Sequence, residues 1–139
     1  MTTPDTEGGD PVARIATFLD RFGRERDLNL PPLGADGVGH VQRGSAVVSI
    51  HALADKHVLL VLARVADAVP AGDEARLRQL LTASFTATGD AAFAIHPKTG
   101  EVFLRILRGL DGLDYAEFED MIHTIATVAD EWDDRLRQP

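Results

Sequence analysis

The sequence predicts an α+β domain in which an antiparallel sheet is covered by helices, with the element order α-β-β-β-α-β-β-α. Two observations lead to this prediction. An apolar stripe with helical spacing ends the chain, and five strand-like segments separated by short turns precede it. Short turns favour antiparallel pairing, because parallel strands need long crossover connections.

The last helix is predicted from Asp114 to Leu136, and its apolar residues recur at alternating spacings of three and four. This spacing keeps one face of a helix apolar. The stripe consists of Tyr115, Phe118, Ile122, Ile125, Ala129, Trp132 and Leu136. Asp114 and Glu117 form a start that resembles a capping box. We expect this helix to cover a sheet, since its aromatic residues suit a sheet better than a narrow coiled-coil seam.

The beginning of the chain predicts a tail, a helix and a linker. Residues 1–9 are polar and glycine-rich and predict a flexible tail, which leaves residues 10–139 as one α+β domain. The first helix starts at Asp10, with a proline at its first position, and ends near Gly23. Residues 28–33 surround two prolines and predict an extended linker.

Five strands are predicted in two groups. The first group is a meander of Val38–Arg43, Ala46–Leu53 and His57–Val65. Its third member is almost wholly apolar, so we expect a central strand that is covered on both faces. The second group is a hairpin of Ala91–His96 and Glu101–Leu107 around a Pro-Lys-Thr-Gly turn.

A second helix is predicted between the two strand groups. A Pro-Ala-Gly-Asp break at residues 70–73 precedes it, and Gly89 follows its end. Its helical period is given by Leu77, Leu80, Leu81, Ser84 and Phe85.

Composition excludes several classes of function. The net charge is −8, and residues 114–139 hold eight acids against two arginines. An acidic chain without a basic stripe is a poor candidate for binding nucleic acid, because neutralising phosphates needs clustered Lys and Arg. The absence of cysteine excludes disulfides, thiolate nucleophiles and zinc–thiolate sites. No apolar run approaches membrane-spanning length and no leader pattern is present, so we expect a cytoplasmic protein without a membrane partner.

No pattern in the sequence supports catalysis, a metal site or a cofactor. The five histidines include no pair with metal-ligand spacing on a predicted helix, although His51 and His57 flank one predicted turn. No serine lies in a nucleophile elbow. The acids of the last helix diverge around its axis and indicate a solvated face. We therefore expect a protein that is not an enzyme.

Several local strings, taken in order, resemble the Tir-chaperone (CesT-like) family of class I type III secretion chaperones. They are Leu-Pro-Pro-Leu at residues 30–33, LRQLLTASF at 77–85, AFAIHPKTGEVFLRIL at 92–107, and the last helix with Ala-Asp-Glu-Trp at 129–132. Together with the meander they span residues 10–136, nearly the whole chain.

The resemblance implies a homodimeric chaperone that binds the N-terminal segment of an effector in extended form and keeps it soluble and competent for secretion. It implies a dimer interface on the second helix and the fourth strand, formed by Leu77, Leu80, Leu81, Phe85 and Phe93. It also implies effector-binding grooves formed by Phe18, Phe22, Leu28, Leu30, Val47 and Ser49. Among these, Phe18 is the preferred groove residue, because it lies beside the apolar stripe of the first helix.

Three other functions stay open from the sequence. One is a dimeric regulatory or scaffold protein of the same fold that does not serve secretion. Another is a catalytic or small-molecule-binding domain, which would need a deep pocket lined by two or more of the histidines. The last is association through the final helix as a coiled coil.

Overall fold

The structure is a computed structural model that describes residues 10–137 of the 139-residue chain. The predicted flexible tail at residues 1–9 lies outside the described residues. The elements are α1 (Pro11–Glu25), β1 (Val38–Arg43), β2 (Ala46–Leu53), β3 (Val58–Ala66), α2 (Glu74–Thr86), β4 (Ala92–Ile95), β5 (Val102–Gly109) and α3 (Tyr115–Arg137). The predicted α+β class and element order are confirmed. Predicted and observed bounds agree for β1 and β2 and elsewhere differ by at most two residues, as expected for the ends of elements.

The five strands form one antiparallel sheet in the order β1-β2-β3-β5-β4. The central position of β3 is confirmed. The meander places β1 at one edge of the sheet. The second hairpin adds β5 beside β3 and leaves β4 at the other edge, with α2 connecting the two strand groups.

The core lies between one face of the sheet and the helices α1 and α3. Alternate residues of β3, from Leu59 to Val65, are buried on this face. Phe118, Ile122 and Ile125 of α3 are fully buried. The predicted cover of the sheet by the last helix is therefore confirmed.

The expectation that β3 is covered on both faces is wrong, because the helices of the chain cover only one face of this strand. Val58, Leu60 and Leu62 point to the face opposite α3 and are only partly buried. The reason is topological. Both α1 and α3 pack on the same side of the sheet, and α2 lies against the edge strand β4. This second side of the sheet is called the open face below.

Polar contacts fix the helices in place. The Tyr115 hydroxyl of α3 donates a hydrogen bond to Glu25 of α1 at 2.7 Å. This bond, together with the neighbouring Arg21, lowers the pKa of the Glu25 carboxyl below its ordinary value. Arg26, just after α1, forms an ion pair with Glu119. No helix within residues 10–137 is both long and apolar enough to cross a membrane.

Candidate protein-binding site

A groove of about 300 Å³ lies between α1 and the linker that follows it. Its walls are Leu19 and Gly23 of α1 and the linker residues Leu28 and Leu30. Gly23 allows this close approach, because a β-carbon there would lie 3.2 Å from the Leu28 carbonyl oxygen and 3.2 Å from the Leu30 side chain. Leu28 and Leu30 are only partly buried, so part of their apolar surface stays accessible in the groove. This feature is called the linker groove.

The linker groove borders the edge strand β1. A β-carbon on Gly39 of β1 would lie 2.9 Å from the Leu19 side chain and 3.1 Å from the Leu33 side chain, so the strand backbone packs closely against α1 and the linker. Within residues 10–137, β1 pairs with β2 on one side and with no strand on the other. Leu19 thus lines the groove and also contacts β1, so the groove lies beside this edge strand.

The backbone of β1 shows which of its hydrogen-bonding groups point away from the sheet. The Val38 carbonyl accepts from the Gly34 amide at 2.9 Å, and the Val38 amide donates to the Asp36 carboxylate at 3.2 Å. Both groups thus point away from β2. Because alternate residues of a strand share a direction, the amides and carbonyls of His40 and Gln42 also point outward. Such an edge is a template for one more strand.

The opposite edge of the sheet is already covered. The Phe93 amide of β4 donates to the Ser84 hydroxyl of α2 at 2.9 Å. α2 therefore occupies the position that an added strand would take beside β4. Of the two edges, β1 is the one available to a partner.

Two predicted groove residues, Phe18 and Phe22, pack between α1 and α3. The Phe18 ring lies 5.7 Å from the ring of Tyr115 and 5.7 Å from that of Phe118. Phe22 is buried, and the Arg26 guanidinium covers its ring at 3.9 Å. The position of Phe18 beside the helix stripe thus does not leave it free, because α3 covers it. Their roles in binding a partner stay predictions.

The other two predicted binding residues, Val47 and Ser49, lie on the open face. Their neighbours Val48 and Ile50 point into the core, and the period of two along β2 turns Val47 and Ser49 to the other side. The structure therefore does not bring the six predicted effector-binding residues together. It brings Leu28 and Leu30 to the linker groove and Val47 and Ser49 to the open face.

A shallow hollow of about 390 Å³ lies on the open face. The strand register places Ser49 between His40 and Leu62, and Leu62 next to Arg105. His51 and His96 also line the hollow. His40, His51 and His96 therefore lie along one hollow, whereas His57, which flanks the same predicted turn as His51, lies outside it in an exposed left-handed turn. Among residues 10–137 no group of histidines and acids has the geometry to hold a metal ion.

The surroundings of His51 in the hollow alter its titration. Its Nε2 lies 3.1 Å from the Ser49 hydroxyl. Partial burial lowers the pKa of His51, and the neighbouring His40 lowers it further, while Asp36 acts in the opposite direction. The imidazole is thus kept neutral in the folded protein at a pH where it would begin to protonate in the unfolded chain.

Acidification should therefore destabilise the protein in part through His51. The unfolded chain takes up the proton near the ordinary pKa of about 6.5, whereas the folded chain takes it up only at lower pH, so stability falls as the pH drops below that value. We expect His51→Gln to lose less thermal stability than the wild type between about pH 7.5 and about pH 5.5. His123→Gln, at an exposed histidine of α3, is the control. Equal losses in the wild type and in His51→Gln would contradict the expectation.

The helix α2 has a second exposed apolar surface. Leu77, Leu81 and Phe85 are spaced by four, lie on one side of the helix, and are 41%, 73% and 87% exposed. These three residues are called the α2 stripe. The other two predicted interface residues, Leu80 and Phe93, are buried in the same chain, where Phe93 packs on the Trp132 ring at 5.2 Å. Leu80 and Phe93 therefore belong to the core beneath this surface. The role of the five residues in a dimer interface stays a prediction.

Sequence reasoning identified Ser49 but missed three other residues of the hollow on the open face. Leu62, Phe103 and Arg105 carry no motif, and each occupies an ordinary strand position. Alternation along β5 was the available signal, because Val102 and Leu104 face inward and their neighbours must face outward. That signal becomes informative only once it is known that the helices cover one face.

Solved structures of chaperone complexes share this fold. The ExsC–ExsE complex matches with a TM-score of 0.71 and 24% identity over 89% of this chain and 94% of that chain. The HopA1–SchA chaperone–effector complex matches with a TM-score of 0.69 and 12% identity over 92% and 98%. The heterodimeric ExoU–SpcU complex from the type III secretion system of Pseudomonas aeruginosa matches with a TM-score of 0.63 and 17% identity over 86% and 94%. At these identities the likeness shows the fold alone.

The sequence itself defines the family. The model of the Tir chaperone protein (CesT) family matches residues 17–133, which is most of the chain. The chain therefore belongs to the CesT family, as the resemblance in its sequence implied. No curated protein sequence matched the chain.

Proposed function

We propose that this protein is a non-catalytic, cytoplasmic chaperone of type III secretion, which holds the N-terminal segment of an effector in extended form. Membership of the CesT family supports the chaperone role. The HopA1–SchA and ExoU–SpcU complexes, which share the fold, support an effector as the partner. The observation that carries the proposal is the free edge of β1 beside the linker groove.

This surface suits an extended peptide for a physical reason. An added strand makes backbone hydrogen bonds with the outward amides and carbonyls of His40 and Gln42. Every second side chain of that strand then points to the helix side of the sheet, where the linker groove accepts apolar groups. The backbone contacts provide affinity for many sequences, and the groove selects apolar side chains. A segment held in this way stays unfolded and shielded from aggregation.

We propose further that two copies associate through the α2 stripe. Three large apolar side chains exposed on one helix face are unusual for a monomer and are typical of an interface. The stripe lies beside β4, at the end of the sheet opposite β1. Dimerisation there would leave the β1 edge of each copy free for a partner.

Affinity capture from the native cell, followed by mass spectrometry, tests the proposed function. We expect a single large protein to co-purify, with limited proteolysis leaving a segment near its N-terminus bound. Recovery of a small molecule without a protein would contradict the proposal. So would capture of only a regulatory protein that is not secreted, which would favour the alternative of a same-fold regulator.

The captured segment allows a direct test of strand addition. Gln42→Pro removes the outward amide of Gln42 and should weaken binding of the segment by about tenfold, the equivalent of one backbone hydrogen bond. Proline is tolerated on an edge strand where the amide faces solvent, so the fold should persist. The measurement is the dissociation constant by isothermal titration calorimetry.

Gln42→Ala is the matched control, because it removes the same side chain and keeps the amide. We expect its affinity to equal that of the wild type within about twofold. Thermal unfolding of both variants checks that the sheet is intact. If the proline and alanine variants bind equally well, the segment does not pair with β1.

A further inference from the structure

The hollow on the open face is lined by one permanently charged cation, Arg105, and by no carboxylate. The chain has a net charge of −8, yet the residues that line the hollow include Arg105, His40, His51 and His96 and no carboxylate. A partly buried arginine normally has an anionic partner. The charge of this surface is thus opposite to that of the protein as a whole.

Arg105 is the central cation of the hollow. It is partly buried and forms no ion pair with any residue in the range 10–137. The arginines nearest to it along the two strands differ in this respect. Arg64 on β3 is paired with Glu101 and Asp67, and Arg108 on β5 is paired with Asp90.

Apolar side chains surround the charged group. Leu62 faces Arg105 directly across the β3–β5 pair, Leu60 follows on the same side of β3, and Phe103 flanks Arg105 on β5. All three are partly exposed. The surface therefore combines apolar area with one unpaired guanidinium, which prefers a carboxylate held in two-point contact.

We propose that the open face is a second docking surface of the chaperone and that it binds a partner segment with a Glu or Asp between apolar side chains, the carboxylate lying on Arg105. The inference rests on the proposed function, since it names the chemistry of the partner at a surface separate from β1. The apolar side chains fill the space over Leu60, Leu62 and Phe103. The acid supplies the anion that residues 10–137 do not place beside Arg105.

A second copy of the chain fits this surface less well. The α2 stripe is flanked by Glu74 and Arg78, which pair with each other at 3.4 Å. It therefore does not present a free carboxylate to Arg105. Charge complementarity favours a separate acidic segment.

Three fluorescein-labelled peptides test the proposal by fluorescence anisotropy with the full chain. They share one leucine-containing framework and differ only in having glutamate, glutamine or lysine at the same positions. We expect the glutamate peptide to bind most tightly, and Arg105→Gln to weaken it by about tenfold, the equivalent of one charge-assisted hydrogen bond at a partly exposed site. The glutamine peptide should be insensitive to that substitution.

Arg43→Gln is the matched control. Arg43 also has no ion-pair partner within residues 10–137, but it lies on the helix side of the sheet near the Phe22 ring. The substitution changes the net charge equally and should leave binding unchanged. Gln42→Pro should also leave it unchanged, so that failure of strand addition at β1 is distinguishable from failure of this proposal.

Four results would overturn the proposal. The first is equal binding of the glutamate and lysine peptides, and the second is an equal loss from Arg43→Gln and Arg105→Gln. The third is no binding of any peptide. The fourth is binding only after substitution of the α2 stripe has separated the copies, because this would show that a second copy covers the open face.

Discussion

Replacing Leu81 and Phe85 together by glutamate is expected to convert the protein from a dimer into a monomer of 15.0 kDa. These are the most exposed members of the α2 stripe, at 73% and 87%. In a dimer they would be buried, and burying each large apolar side chain contributes about 1.5–3 kcal/mol. Two carboxylates in the same place would have to be desolvated without a partner, which costs several kcal/mol more. The dissociation constant should therefore rise by more than about a thousandfold.

Sedimentation equilibrium over a range of concentrations measures this change. The matched control is the pair Ala75→Glu and Gln79→Glu, which adds the same two charges to exposed positions of α2 away from the stripe. We expect the control to remain dimeric. A wild type that is monomeric at all concentrations, or a control that dissociates equally, would contradict the proposed interface.

The second large effect is expected at Phe118. Its side chain is completely buried and contacts the rings of Phe18, Phe22 and Tyr115, so it joins α1 to α3. Phe118→Ala removes the ring and leaves a cavity that a rigid helix cannot fill. We expect a loss of about 3–5 kcal/mol in the free energy of unfolding. This is a large fraction of the about 5–15 kcal/mol that stabilises an ordinary domain.

Urea denaturation at fixed protein concentration measures the loss, since the proposed dimerisation would make stability depend on concentration. Phe103→Ala makes the same chemical change at a partly exposed position of the open face and should cost about 1 kcal/mol. Equal losses from the two substitutions would show that α1 and α3 do not share the core described here.

Much of the fold could be predicted from the sequence because its signals are local. The spacing of apolar residues from Tyr115 to Leu136 has the period of a helix and specifies which face is buried. Asp10 before a proline, and Asp114 three residues before Glu117, mark helix starts that the structure confirms through side-chain hydrogen bonds to backbone amides.

The binding surfaces could not be predicted as well, because they depend on which elements pack together. Leu80 and Leu81 are the same residue type at adjacent positions of α2, yet one is 4% exposed and the other 73%. A helical period cannot decide which of two apolar stripes faces the core when both are available. Contact with β4 decides it, and the helical spacing within α2 does not encode that contact.

The effector-binding predictions mixed residues from both sides of the sheet for a related reason. Val47 and Phe18 were placed together by likeness to the family, but the period of two along β2 separates them once the covered face is fixed. Arg105 was missed because an arginine in a strand is ordinary. Its significance comes from the absence of a carboxylate around it within the described part of the chain, which only the three-dimensional arrangement reveals.

Hydrogen–deuterium exchange of the complex with the captured segment tests the central claim most directly. In the free protein the outward amides of His40 and Gln42 lack a strand partner and should exchange rapidly, while the Val41 amide is already paired with β2. We predict that the segment slows exchange at His40 and Gln42 by at least about tenfold and leaves Val41 nearly unchanged. Protection confined to α2 or to the open face, with rapid exchange persisting at His40 and Gln42, would contradict strand addition at β1.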